Sequence, residues 1–499
     1  MEKGKHKIAV KFNNLLQVVT RKQPADCPIR TEWILAGIMA AMFFFFMFYA
    51  DNFGMFLAYF WTNEGTIMGN NLNAFASQGL PYGIVHQYLC ELWVLPVNIL
   101  YHLFEFDLDG TAALLWYKFF TTFFFILCTV ELGKIAETVG LKKSEKSWLQ
   151  FFLVTSLLVA LPVFHVAQTD VLYLYFMLLG FHAYLKNDTK KFLIFFAIAI
   201  PLKIIAVFAF IPLVLLSEKR ILYVLRNLIL GCVIIPIEKI IYRIVDSLNI
   251  RLFPQKSVTV VQAGDSATKS VTQAKEDFMS HFYNKSLYFE MPAVRKGLVA
   301  SVLVVILILI FVWCYMQKKE ELKQWYQKSV YAVTAALLAF FLLASPSPYW
   351  IVILFPFLLL MIFLHPQCFR VNMILESSFT LTMLFVYVID TYWVFGGSQT
   401  FDWLFLSQWG LVPGNHVFQE GPSIAGYLES WGITGLMPVV TAACLASGLA
   451  LLWINAPGKI YREDIDEEYR KKLNHGFAVF RLLLLAGWFL ANVVLLGRY

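Results

Sequence analysis

Apolar segments long enough to cross a bilayer, roughly 17–25 residues each, recur from Trp33 to the C-terminus of this chain. Nothing else in the sequence narrows the fold so far. Backbone in hydrocarbon must satisfy its own hydrogen bonds, and segments of this length do so as helices. The composition agrees. Of 499 residues, 59% are hydrophobic and only 15% charged, where a soluble domain carries about a quarter. Phe alone supplies 47 residues, more than the 40 Lys and Arg together. A soluble enzyme, a disordered scaffold and a single-span receptor are excluded, and the chain reads as an all-α, polytopic transmembrane protein whose first partner is the lipid bilayer.

The basic residues set the expected topology. Lys and Arg collect in short cytoplasmic loops, so the net charge of +7 reports orientation and calls for no nucleic-acid partner. None occurs between Arg30 and Lys118, nor between Arg370 and Lys459. They fall instead in patches at Lys3–Arg30, Lys134–Lys146, Lys186–Lys191, Lys219–Arg226, Lys318–Lys328 and Lys459–Lys472. Residues 1–32 then read as a cytoplasmic N-terminal extension, not a cleaved signal peptide. A span at 33–50 runs outward and 111–132 returns. The apolar stretch 84–104 becomes an interfacial or re-entrant helix within one long outer loop, 51–110. Two ordinary spans with Asp107 and Asp109 in a cytoplasmic turn are the alternative.

Next come 148–164, a short outer turn at 165–170, 171–185 and 192–210, the last broken at Pro201-Leu202-Lys203. Arms of about 11–15 residues reach only roughly 16–22 Å, and such short helices are tolerated where they line a cavity. A cleft on the outer side is expected. A span at 222–248, an outer segment at 249–296 and spans at 297–316, 329–344, 350–365, 372–395, 433–454 and 477–497 follow, with an outer loop at 396–432. This makes about thirteen spans with the C-terminus outside, in two transmembrane modules, 33–248 and 297–499, that do not mirror each other. The seven cysteines are scattered, without a CxxC or His/Cys cluster, so neither a disulfide framework nor a zinc site is supported.

An ionisable residue within a span is a functional candidate by default. The set is Asp51, Glu91, Lys118, His165, Asp170, Lys203, Glu238, Arg243 and Asp390. By this topology Asp51, Lys118, His165, Asp170, Lys203 and Asp390 gather at the outer surface, as a site for a phosphate-bearing substrate requires. Each also has a plainer reading. Asp51 is a solvated helix end, Lys118 a snorkelling side chain, Asp170 an acidic N-terminus favoured by the macrodipole and His165 an interfacial histidine. Lys203, with no loop around it, has the weakest such alternative.

Three segments carry a resemblance. Tyr49-Ala50-Asp51 is similar to an acidic residue following a first span. Ala167-Gln168-Thr169-Asp170 resembles a Gly-Gln-x-Asp turn with Ala in place of Gly. Pro201-Leu202-Lys203 followed by Phe210-Ile211-Pro212 resembles a hairpin with Lys and then Pro. Together they resemble the GT-C superfamily of membrane glycosyltransferases, in its mannosyltransferase-like branches. Ser345-Pro346-Ser347-Pro348-Tyr349 matches that group's late outer turn loosely, without its His and Arg.

The resemblance implies sugar transfer from a polyprenyl-phosphate-linked donor to a glycan, lipid or protein acceptor, by single displacement with inversion. Asp51 would be the general base. Lys203 and Lys118 would stabilise the leaving phosphate, while Asp170, Gln168 and His165 would bind substrate. No cofactor is required, though a divalent cation (Mg or Mn) is compatible. The setting would be a bacterial plasma membrane, with the site on the extracytoplasmic face. A lipid-linked-glycan flippase or other transporter, and an O-antigen-type polymerase or ligase, are the competing readings.

Overall fold

The structure, a computed structural model, describes residues 27–49, 84–104, 110–247, 288–290, 299–318, 322–344, 346–390, 399–401, 424–458 and 467–496. It is a bundle of helices. The first, α1 (Arg30–Phe46), passes directly into a short strand, β1 (Met47–Tyr49). Then come α2 (Ile84–Phe104) and α3 (Gly110–Thr138). Helix α4 (Lys143–Thr155) breaks at Ser156, and α5 (Leu157–Ala160) runs on into a π turn at Leu161–His165. The two arms meet at 62°.

Helices α6 (Asp170–Leu185) and α7 (Thr189–Leu202) form a tight hairpin, followed by α8 (Val207–Ser217). Helices α9 (Ile221–Gly231) and α10 (Ile234–Ser247) are bent by 43°. Strands β2 (Tyr288–Glu290) and β3 (Val299–Ser301) pair ahead of α11 (Val302–Met316) and α12 (Leu322–Leu343). A 3-10 turn at Pro348–Ile353 opens α13 (Leu354–Phe363), which leads to α14 (Phe369–Asp390). Strand β4 (Gln399–Phe401) returns to pair antiparallel with β1. Helices α15 (Ile424–Ser430), α16 (Met437–Ile454) and α17 (Glu467–Leu496) complete the chain.

Among the described residues, five helical stretches are long and apolar enough to cross a membrane: Leu115–Thr138, Leu322–Leu343, Pro366–Ile389, Ile433–Ile454 and Asn474–Val494. Counting each bent pair as one span raises this to seven. Three of the expected spans, at 171–185, 297–316 and 350–365, correspond to shorter apolar helices, while 192–210 is divided at Lys203 between α7 and the short apolar helix Ile204–Ser217. The expected outer loops at 51–110, 249–296 and 396–432 fall largely outside the described residues. Within the first of them α2 forms one helix over 84–104, with Pro96 inside it.

Buried aromatics hold the bundle together. Trp148, Phe152, Phe181, Phe196, Phe210 and Phe355 belong to one apolar core. Helix α8 packs on α11 and α12, α13 on α4, and α17 on α1, so the expected modules 33–248 and 297–499 share that core. Lipid offers no hydrophobic drive between helices, so close backbone approach matters more than in water. Gly180 on α6 permits one such approach, because a Cβ there would lie 2.7 Å from the Phe196 ring of α7.

The expected break at Pro201-Leu202-Lys203 is present. Pro201 has no N–H for the carbonyl four residues back, and α7 ends at Leu202. Lys203 is extended, with φ −158°, before one 3-10 turn at Ile204–Ala206 restarts the helix. The other end of the hairpin turns at Asn187, with φ 58°, and Asp188 caps α7 by accepting from Lys191 N–H at 3.1 Å. Asp170 and Lys203 therefore lie at one end of the bundle, and the basic loops at 142–146 and 186–191 at the other.

Candidate functional site

The turn before α6 is built from local constraints. The π turn lets Val166 N–H bond Leu161 O at 2.9 Å, and Gln168 N–H then reaches Pro162 O at 2.9 Å. Single π turns are rare and occur often at functional sites. Ala167 adopts φ 53° between them, a left-handed conformation that favours Gly. The position where the resembled motif carries Gly is thus one where the backbone calls for it. His165, Gln168 and Asp170 are all buried in this turn.

Asp170 meets Lys203 here. The Lys203 Nζ lies 3.3 Å from Asp170 Oδ1, with the carboxylate side chain 1% exposed and the lysine 14% exposed. The same ammonium sits over the Trp350 ring, 4.3 Å from its centroid, where a desolvated cation is attracted by the ring face. Trp350 comes from the 3-10 turn that opens α13, just after Tyr349. The Tyr173 hydroxyl also lies within hydrogen-bonding reach of the Asp170 carboxylate, and the Trp350 indole N–H donates to no described residue. Helix α2 closes the site from another side. His86 of α2 lies 2.9 Å from the Thr169 hydroxyl and within electrostatic reach of Lys203. Tyr117 of α3 lies within electrostatic reach of Cys90, Asp170 and Tyr349.

Lys118 has a different environment from the one expected. It is 1% exposed and donates to the carbonyls of Phe43 at 3.0 Å and Met47 at 2.6 Å. Phe43 O also accepts from Met47 N–H where α1 ends, and a cation is favoured at that helix end. Lys118 thereby fixes the junction of α1 with β1, four positions before Asp51 in the chain. Thr121, one turn further along α3, donates to Lys118 O at 2.9 Å and to Val163 O of the π turn at 3.4 Å. Lys118→Met is expected to cost about 2–3 kcal/mol, since two carbonyls lose a charged donor. Lys118→Arg should recover most of it, both read as thermal midpoints of the purified protein in detergent.

Asp51 lies outside the described residues, as do the side chains of Glu91, Arg243 and Asp390. Glu238 of α10 accepts from Val85 N–H at 3.3 Å and so caps the start of α2. Among the described residues no group of three His, Cys, Asp or Glu side chains could hold a metal ion.

Two further polar clusters lie elsewhere in the bundle, the first reaching its surface through Lys134, whose side chain is 56% exposed. On α3 and α6, the Glu131 carboxylate accepts from the His182 ring and from Lys134 at 2.8 Å, and His182 Nε2 lies 3.0 Å from the Thr138 hydroxyl. On α14 and α17, Arg481 donates to Glu376 at 2.5 Å and to Phe152 O at 2.5 Å. The break at Ser156 explains the second bond. Ser156 N–H turns to Leu153 O at 3.4 Å, which leaves Phe152 O without its helical partner, and Arg481 supplies one.

Glu131, His182, Glu376 and Arg481 were not in the set chosen from sequence, although each lies within an expected span and the rule for ionisable residues there could have found them. Trp350 and His86 carried no local signal, because only the tertiary fold brings them to Lys203. No protein-family model matches the chain, and no curated protein is found to match it.

Proposed function

We propose that the protein is an integral-membrane glycosyltransferase that moves a sugar from a polyprenyl-phosphate-linked donor to an extracytoplasmic acceptor. The observation that supports this reading is the buried Asp170–Lys203 pair under Trp350. It joins two of the segments that carry the GT-C resemblance, Ala167–Asp170 and Pro201–Lys203, in one place. The third segment ends at Asp51, and the strand that leads to it is tied by Lys118 to the same end of the bundle.

In this reading about thirteen spans frame an outer first loop at 51–110, with α2 lying in it as an interfacial or re-entrant helix. Asp51 takes the proton of the acceptor hydroxyl as it attacks the anomeric carbon, with inversion. Phosphate leaves without a strong general acid, so the main requirement is fixed positive charge in a dry site. Lys203 supplies it and Asp170 aims it. Lys118 is a positioning residue for the chain that carries the base.

Transfer of radiolabelled sugar from polyprenyl-phosphate donors in membranes tests the proposal. Asp51→Asn is expected to lower transfer on the order of a hundredfold, the lower end for loss of a general base. Full activity in a folded Asp51→Asn variant would remove the mechanism. The competing reading, a lipid-linked-glycan flippase or other transporter, draws on the buried Glu376–Arg481 pair. Intramembrane ion pairs away from a surface site are what substrate or proton pathways use.

A further inference from the structure

Helix α2 buries one stripe and exposes another. His86, Cys90, Val94 and Val97 are buried, at helical spacing, while Leu92, Leu100 and Leu103 are exposed. The helix packs on α7, which ends at Lys203. Its middle and its start are held in different ways. At Trp93 the join to α3 is reciprocal: the indole N–H groups of Trp93 and Trp116 each donate to the other's carbonyl at 3.0 Å, and the rings stack 5.2 Å apart. The start is tied by side chains that reach it from other elements. Val85 N–H donates to Glu238 of α10 at 3.3 Å, and the His86 ring lies 2.9 Å from the Thr169 hydroxyl.

Thr169 is the N-cap residue of α6, a position where a Thr hydroxyl ordinarily accepts from N–H groups of its own helix. It makes no such bond here, and its hydroxyl meets His86 instead. The contact joins α2 to the residue directly before Asp170. Beside it Lys203 is only 14% exposed, and a ligand of phosphate size needs more of the ammonium than that, so a neighbouring element must move. Helices α6 and α7 are locked by the Gly180–Phe196 contact. Helix α3 is bound to the end of α1 through Lys118, and every residue of α13 is buried. Helix α2, with its exposed face, is the neighbour left to move.

We propose that α2 is a hinged cover over Lys203, turning about the Trp93–Trp116 join, and that His86 is the positioning residue that latches it. Only seven positions separate His86 from Trp93, roughly 10 Å of helix, so a modest tilt at the join parts the latch. The use of this movement in sugar transfer rests on the glycosyltransferase reading, whereas the movement itself does not.

Alkylation of Cys90 by N-ethylmaleimide tests the cover, in the full-length protein in lipid nanodiscs with peptide mass spectrometry as the readout. Cys90 is 0% exposed, and its Sγ lies 3.9 Å from the His86 ring, so the reagent enters when α2 lifts. Where reclosing outpaces alkylation, the rate follows the open population. Cys128 of α3, also 0% exposed and donating to Val171 O at 3.4 Å, reports general loosening. Thr169→Val deletes the latch hydroxyl and leaves His86 beside Cys90. It should speed Cys90 about fivefold, the loss of one neutral hydrogen bond, with Cys128 unchanged. His86→Leu should do at least as much, and His86→Gln, whose amide can bond the Thr169 hydroxyl, should return close to the wild-type rate. Should Thr169→Val fail to fold, His86→Leu against His86→Gln carries the test.

The cover is overturned if Cys90 labels at the wild-type rate in both latch variants, or if Cys128 speeds up with it. Sugar-free undecaprenyl phosphate then separates the movement from the function. A bound lipid phosphate that favours the closed state should slow Cys90. Labelling that responds to Thr169→Val but ignores the lipid phosphate keeps the cover and counts against the donor reading. A protein that transfers sugar while Cys90 ignores Thr169→Val keeps the enzyme and removes the cover.

Discussion

Lys203→Met is expected to destabilise the protein by about 3–5 kcal/mol, the usual consequence of removing one partner from a buried ion pair. The reason is the residue left behind. Asp170 is 1% exposed, sits at the start of α6 and would keep only the neutral Tyr173 hydroxyl beside it. Deleting both charges together tells stability apart from function. The double variant Asp170→Leu with Lys203→Met should regain most of the lost stability, since well-packed apolar replacements of buried pairs are often neutral. Its sugar-transfer activity should stay absent. Thermal and denaturant unfolding in mixed micelles measures the first quantity, and transfer from radiolabelled donor the second. A single variant that loses less than about 1 kcal/mol would mean that the pair is solvated and is not the dry site argued above.

The second large effect is expected at Arg481, deep within α17. Arg481→Met should also cost about 3–5 kcal/mol, because it strands the Glu376 carboxylate and returns Phe152 O to an unsatisfied state. Adding Glu376→Met removes the stranded charge and should restore stability, apart from the one carbonyl at the Ser156 break. Here the functional expectation is opposite to that for Asp170 and Lys203. If the pair serves only to brace a broken helix, the stable double variant keeps its transfer activity. A stable double variant that folds but has lost all function would favour the transporter reading, in which a buried charge pair belongs to the pathway.

Local features of the fold were legible because local chemistry causes them. Pro201 predicted the break at 201–203, since a missing N–H acts on its own helix whatever surrounds it. Asp170 marked a helix start for the same kind of reason, and the bounds of α2 followed from its apolar run. The bend at Ser156 had no such marker. The carbonyl that it frees is bonded by Arg481, more than three hundred positions away in the chain. Lys118 was legible as an unusual lysine but not as the cap of α1, because its partners are backbone carbonyls with no signature in sequence. Trp350 was hidden for a related reason. The resemblance directed attention to its turn through the His and Arg that are missing there, whereas an aromatic ring over Lys203 fills the place beside the cation.

The hairpin of α6 and α7 has a consequence for the order in which the site comes together. Asp170 and Lys203 stand at the two ends of one helical pair locked by the Gly180–Phe196 contact, so their meeting needs no element outside it. Chains are made N-terminus first, and contacts close in sequence form before distant ones. The charge pair is therefore expected to exist in the nascent protein before Trp350 has left the ribosome. Until the C-terminal helices dock, the pair lacks its aromatic neighbour, and the late turn that supplies Trp350 completes the surroundings of Lys203.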